Sequence, residues 1–167
     1  MPKRLTRYLT RHEAAPASLL GGVKSALGGA LAMAVLGGMA AATGQPLLLA
    51  PFGATAVILF TQPASPLAQP ANVLFGYLVA ACLCLALGGV LPAGWWAAAL
   101  GVGLSILVMA LLRVTHPPAG ALPILLLAGG GDPMPLLKAV GAGSVGLVVL
   151  AALFHALPPM ATAYPRR

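Results

Sequence analysis

His116 opens the stretch His116-Pro117-Pro118-Ala119-Gly120-Ala121, which lies between two long apolar runs. An imidazole titrates around neutral pH, so here it can donate to an anion or carry a proton. The structural alternative is that it fills a hydrogen bond freed by the prolines. Two in a row remove two backbone donors and push the residue before each out of the α region. Other reactive groups are scarce. Glu13 and Asp132 are the only acids, one in a basic N-terminal segment and one in a turn, so no carboxylate falls within an apolar run. That argues against sodium coupling through acidic ligands and against acid–base chemistry by paired carboxylates. No nucleophile stands with its base, no ligand cluster has metal spacing and no phosphate loop occurs. No enzyme, cofactor or metal is expected.

The remaining polar residues sort by position. Thr55 lies inside an apolar element and can serve a substrate, whereas Thr61, Gln62, Ser65, Gln69 and Asn72 read as loop caps. Arg113, at a helix end, attracts an anion at long range or snorkels to the interface. His12 and His155 are expected at the membrane interface. Cys82 and Cys84 are two apart on a helix, so they point to nearly opposite faces and cannot bridge each other.

Composition places the elements that must hold these residues in lipid. Hydrophobic residues make up 60% of the 167 and charged ones only 7%, with a mean hydropathy of +0.98. The net charge of +7 is not a nucleic-acid footprint. Five of the nine basic residues (Lys3, Arg4, Arg7, Arg11, Lys24) precede the first apolar run, the positive-inside pattern of a cytoplasmic N-terminus. A bacterial inner membrane is the expected location. The run from Ser25 to Thr43 exceeds a signal-peptide core, so it is expected to stay as an anchor.

The pattern predicts an all-α polytopic membrane protein. Residues 1–23 form a basic amphipathic segment, 24–157 one transmembrane domain and 158–167 a basic tail. Spanning helices are expected at about 24–43, 72–91, 95–112 and 136–157. Two apolar elements, 47–61 and 113–131, are each interrupted early by proline and glycine. A shift of 67 positions lays Pro51 on Pro118, Gly53 on Gly120, Ala54 on Ala121 and Gly76 on Gly143. The chain thus reads as two repeats, 24–91 and 92–157, each a long helix, an interrupted element and a long helix.

If the interrupted elements cross the membrane, there are six spans and the halves are inverted. If they dip in and return, there are four spans and the repeat is parallel. Length favours crossing: about six extended residues reach ~20 Å and a half-helix of about ten adds ~15 Å, against a core of roughly 30 Å. In that arrangement two half-helix N-termini, Gly53-Ala54-Thr55 and Gly120-Ala121-Leu122, face each other near the midplane. Their free amides and positive dipole ends are expected to form an anion site, with His116 beside it. Gly53, Ala54, Thr55, His116, Gly120 and Ala121 are the candidate binding residues. Six short helices enclose little volume, so a homo-oligomer in the lipid bilayer is expected.

At these residues the chain resembles the HPP family of small integral membrane proteins. His116-Pro117-Pro118-Ala119-Gly120-Ala121 is its signature, and Pro51-Phe52-Gly53-Ala54-Thr55-Ala56-Val57-Ile58-Leu59-Phe60 with Ser65-Pro66-Leu67-Ala68-Gln69-Pro70 matches its other strong block. The resemblance covers about residues 25–157. It implies transport of a small anion, most specifically nitrite, as described for plastid and cyanobacterial members. Where the family often carries Arg before Asn, this chain has Ala71 before Asn72. A non-transporting assembly or regulatory subunit is the alternative, with the Gly/Pro breaks serving helix packing.

Overall fold

The computed structural model describes residues 18–158 and 161–165. Most of the basic amphipathic segment expected over residues 1–23, with His12, and the terminal pair Arg166-Arg167 lie outside them. The described chain is all-helical: α1 (Leu19–Thr43), α2 (Ala50–Thr61), α3 (Pro70–Gly88), α4 (Trp95–Leu111), α5 (Leu122–Leu127) and α6 (Met134–Ala156). Short 3₁₀ turns stand at Pro66–Ala68 and Pro117–Ala121. Three helices, α1, α3 and α6, are long and apolar enough to cross a membrane unaided.

Local chemistry sets the ends. Ser18 caps α1 by accepting from the Gly21 amide at 3.0 Å, which starts that helix earlier than its charge pattern suggests. Gly44, in the left-handed region at φ 67°, ends it. Proline occupies the first turn of α2, α3, α5 and α6. A first-turn amide has no intrahelical partner anyway, so proline loses nothing there and arrives with φ preset.

Contacts sort the segments between two ends of the bundle. At the near end, Ser25 at the start of α1 donates to the Phe60 carbonyl at the finish of α2, at 2.7 Å. His155 at the end of α6 donates from Nε2 to the Leu59 carbonyl at 2.9 Å. It is buried there rather than interfacial, because the last turn of α6 packs on the last turn of α2. At the far end, a cavity of about 460 Å³ is shared by Thr43 at the end of α1, Gln45 after it, and Met134 and Lys138 of α6. Gly94, capping α4, donates to the Leu127 carbonyl at 2.8 Å, and Leu127 also lies against Gly88. The segment 112–127 therefore starts beside Asn72 at the near end and finishes at the far end. The run 44–61 goes the opposite way, with Leu47 in the far-end cavity and Phe60 at the near end.

Small residues let the helices approach. A Cβ on Gly101 would sit 2.8 Å from Pro123, and one on Gly28 would collide with the ring of Phe60. In lipid, packing of this kind and interhelical polar contacts hold helices together, since tails are as apolar as leucine. Outward-facing Leu27, Val57, Ile106 and Leu153 are exposed, as a lipid-facing surface requires.

Candidate functional site

The two interrupted segments meet inside the bundle. Neither half-helix begins at its glycine, as the sequence suggested. The first begins at Ala50, with Pro51 in its first turn, and the amides of Phe52 and Gly53 both reach the Leu49 carbonyl, at 3.0 and 3.4 Å. The second begins as a 3₁₀ turn at Pro117, where the Ala119 amide donates to the His116 carbonyl at 3.0 Å, and becomes α-helical at Leu122. Proline contributes no N–H, and these amides are occupied within their own turns. The expected row of free donors at 53–55 is thus consumed by a helix that starts one turn earlier.

Side chains, not amides, join the segments. Thr55 Oγ1 lies 2.9 Å from Nε2 of His116 and 2.8 Å from the Tyr77 hydroxyl. His116 Nδ1 lies 2.9 Å from the Leu67 carbonyl, in the 3₁₀ turn before α3. All three side chains are essentially inaccessible. The directions of these bonds follow from one constraint. A carbonyl only accepts, so Nδ1 carries the proton and, in the neutral ring, Nε2 must accept. Thr55 therefore donates to His116 and accepts from Tyr77. The row reads Tyr77 to Thr55 to His116, with the ring's other side donating to Leu67, and every group is satisfied.

The surroundings lock this row in place. Gly76 lies where a Cβ would stand 2.6 Å from the Cβ of His116, so only glycine lets the imidazole lie on α3. Tyr77 meets the rings of Phe52 and His116 edge-on, at 5.7 and 5.3 Å. Asn72 donates to the Thr115 carbonyl at 3.1 Å, fixing the extended run that delivers His116. Before that run α4 closes with the Val114 amide on the Met109 carbonyl and the Arg113 amide on that of Ala110. This is a Schellman closure with arginine, at φ 58°, in the position glycine usually takes.

Of the six candidate residues, Thr55 and His116 are brought into direct contact. Gly53, Gly120 and Ala121 are half-buried and Ala54 is exposed, and a Cβ added at Gly53 or Gly120 would meet nothing within 4 Å. Tyr77 was missed. Its only sequence signal was a lone hydroxyl beside Gly76, one of the positions the 67-residue shift had matched. Among the described residues no group of three or more His, Cys, Asp or Glu side chains is placed to hold a metal ion.

The profile of the HPP transmembrane region matches residues 14–165. The chain belongs to the HPP transmembrane family. As an HPP protein with apolar helices of spanning length, it is an integral membrane protein. Two curated relatives are transmembrane proteins of Dictyostelium discoideum. One is 37% identical over 86 residues, covering 47% of this chain and 29% of the relative, and the other is 37% identical over 78 residues, covering 42% and 24%. The matched segment thus spans under a third of each relative. No solved structure matches this HPP chain.

Proposed function

We propose that this HPP protein moves a small inorganic anion across the membrane, as a transporter or channel rather than an enzyme, with nitrite the anion the family resemblance favours. The observation that carries the reading is the Thr55–His116 contact, which joins the two interrupted segments inside the bundle. Ionisable residues inside membrane segments are rare, face the bundle interior and mark substrate or proton pathways by default. The only acid among the described residues, Asp132, caps the Met134 amide in a far-end turn, so nothing beside His116 competes with an anion. Gly53, Ala54, Gly120 and Ala121 lie within five residues of the contact along the chain, and a Cβ at Gly53 or Gly120 would meet nothing within 4 Å. At the far end, Lys138, Thr43 and Gln45 line a cavity together with Asp132, whose carboxylate offsets the charge of the lysine.

The halves 24–91 and 92–157 are read as inverted repeats, which supports alternating access about this contact. Phe60 and Leu127, 67 positions apart, both accept a hydrogen bond from the start of the first helix of their own half, at opposite ends of the bundle. The near end is assigned to the cytoplasm of a bacterial cell on the basic residues ahead of α1. Reporter fusions in the 62–69 loop would then read cytoplasmic. A homo-oligomer is proposed on the small volume that six short helices enclose.

Flux of nitrite into proteoliposomes is the test. Movement above empty vesicles is expected, and Gly120→Leu should block it without unfolding, since its side chain enters open space on the break. No flux at any pH gradient would overturn the reading. The second reading, a non-transporting assembly or regulatory subunit, is favoured by one observation: both His116 nitrogens are already satisfied within the protein. A stable complex with another membrane protein, together with absent flux, would establish it.

A further inference from the structure

The row Tyr77–Thr55–His116–Leu67 has a property that follows from its donor count. With Nδ1 committed to the Leu67 carbonyl, a second proton on the ring can enter only at Nε2. Nε2 then changes from acceptor to donor, and Thr55 Oγ1 must accept from it. Thr55 can no longer direct its own hydrogen at the ring. Either that hydrogen is left over, or Thr55 turns it onto the Tyr77 oxygen and the Tyr77 hydrogen is left over. The result is the same in both cases: one hydroxyl hydrogen without an acceptor, next to a cationic ring.

A buried charge without a partner is strongly disfavoured. The elements around His116 supply none. From α2 comes Thr55, from the 66–68 turn the Leu67 carbonyl, and from α3 Gly76 and the phenol of Tyr77. No residue of α4 carries a charge, and on the 112–116 run the one charged side chain is that of Arg113, itself a cation and exposed. Asp132 stands in the far-end turn. An anionic oxygen from outside the chain would answer both at once, balancing the charge of the ring and accepting from the released hydroxyl.

We propose that anion and proton bind together at this site: His116 Nε2 takes one proton from water as the anion arrives, and the anion accepts from the released Thr55 or Tyr77 hydroxyl. This rests on the anion-transport reading above and names its coupling ion. On release the N–H bond breaks, the proton returns to water with the departing anion, and Thr55 again donates to Nε2. By linkage, each ligand raises affinity for the other by the same factor.

The test is calorimetric titration of the purified full-length protein with sodium nitrite, in buffers of different ionisation enthalpy. Uptake of one proton per nitrite bound is expected, with affinity rising roughly tenfold per unit fall in pH where the ring starts neutral. His116→Gln, which keeps hydrogen-bonding capacity but cannot charge, should bind without proton uptake or pH dependence, or fail to bind. Nitrite binding by the wild type with no proton taken up would overturn the coupling and leave the anion site standing. The coupling at His116 is equally overturned if His116→Gln keeps the wild-type proton count. Absence of both nitrite binding and nitrite flux would overturn the transport reading and the coupling with it.

Discussion

Gly76 and Gly143, 67 positions apart, each receive a side chain delivered by the interrupted segment of the opposite half. Gly76 of α3 takes His116, and Gly143 of α6 takes the ring of Phe52. Each half therefore closes over the break of the other, and neither forms its core alone. The exchange also explains why two otherwise ordinary helix glycines sit where they do: a methyl group at Gly76 would displace His116, and one at Gly143 would displace the Phe52 ring that packs on Tyr77.

The corresponding substitutions should separate packing glycines from open ones. Gly76→Ala and Gly143→Ala force a collision with a buried, immobile neighbour, and overpacking of that kind costs about 1–3 kcal/mol. Gly53→Ala, within α2 and with nothing near its added Cβ, should be neutral or stabilising by about 0.5–1 kcal/mol. Thermal unfolding of the four detergent-solubilised proteins checks this. Equal losses at positions 53 and 76 would contradict it.

Bond direction in the polar row predicts an asymmetry. Thr55→Val strips Nε2 of its donor and Tyr77 of its acceptor, leaving two buried groups unpaired, each worth about 1–3 kcal/mol. Tyr77→Phe removes only the outermost donor, and Thr55 still donates to the ring, so its loss should be near 0.5–1.5 kcal/mol. A Tyr77→Phe protein as destabilised as Thr55→Val would mean that the row runs the other way. The double variant should lose little beyond Thr55→Val alone.

Much of this architecture was legible in the residues, for definite reasons. The Gly/Pro breaks at 51–53 and 117–120 mark interrupted elements because proline and glycine act locally. Their lengths predicted crossing segments; the contacts of Phe60 and Leu127 put the ends of the two segments at opposite ends of the bundle, and the crossing itself is what the reporter fusions test. The positions of the helix starts were not legible. The pattern put them at Gly53 and Gly120, but first-turn proline moved them upstream and occupied the amides meant for a ligand. Tyr77 was hidden for a different reason. Its role depends on Thr55, 22 residues before it, and on His116, 39 after it, and no local period encodes that meeting. His155 was similarly placed at an interface because its partner, the Leu59 carbonyl, is distant in sequence.

Arg113 offers a way to uncouple stability from function. Holding a non-glycine residue at φ 58° costs roughly 1–2 kcal/mol, yet the closure of α4 needs that conformation. Arg113→Gly should therefore raise stability by about 1 kcal/mol while removing the positive charge nearest His116 along the chain. If that charge draws anions to the near end, nitrite flux should fall in the stabilised protein, and the fall should shrink at high salt. Unchanged flux would confine Arg113 to its capping role.

Tyr164 supplies the pH-dependent prediction, since it lies beyond the last helix. Its hydroxyl donates to the Ala68 carbonyl at 3.0 Å, beside the Leu67 carbonyl that holds His116, and its ring packs against His155. Burial pushes the phenol up to about 12, from an ordinary value near 10. The raised value fixes the sign: the folded state holds this proton more tightly than the unfolded one. The contribution is complete below about pH 10 and is lost as pH rises through about 12, where a buried phenolate would face a carbonyl that can only accept. Wild type should therefore lose stability between these limits more steeply than Tyr164→Phe, which lacks the ionisable group. The difference absorbance spectrum of the two proteins should show phenolate appearing near pH 12 in the folded state and near 10 after denaturation. Phenolate at pH 10 in folded protein would mean that the 161–165 segment does not lie on the bundle as described.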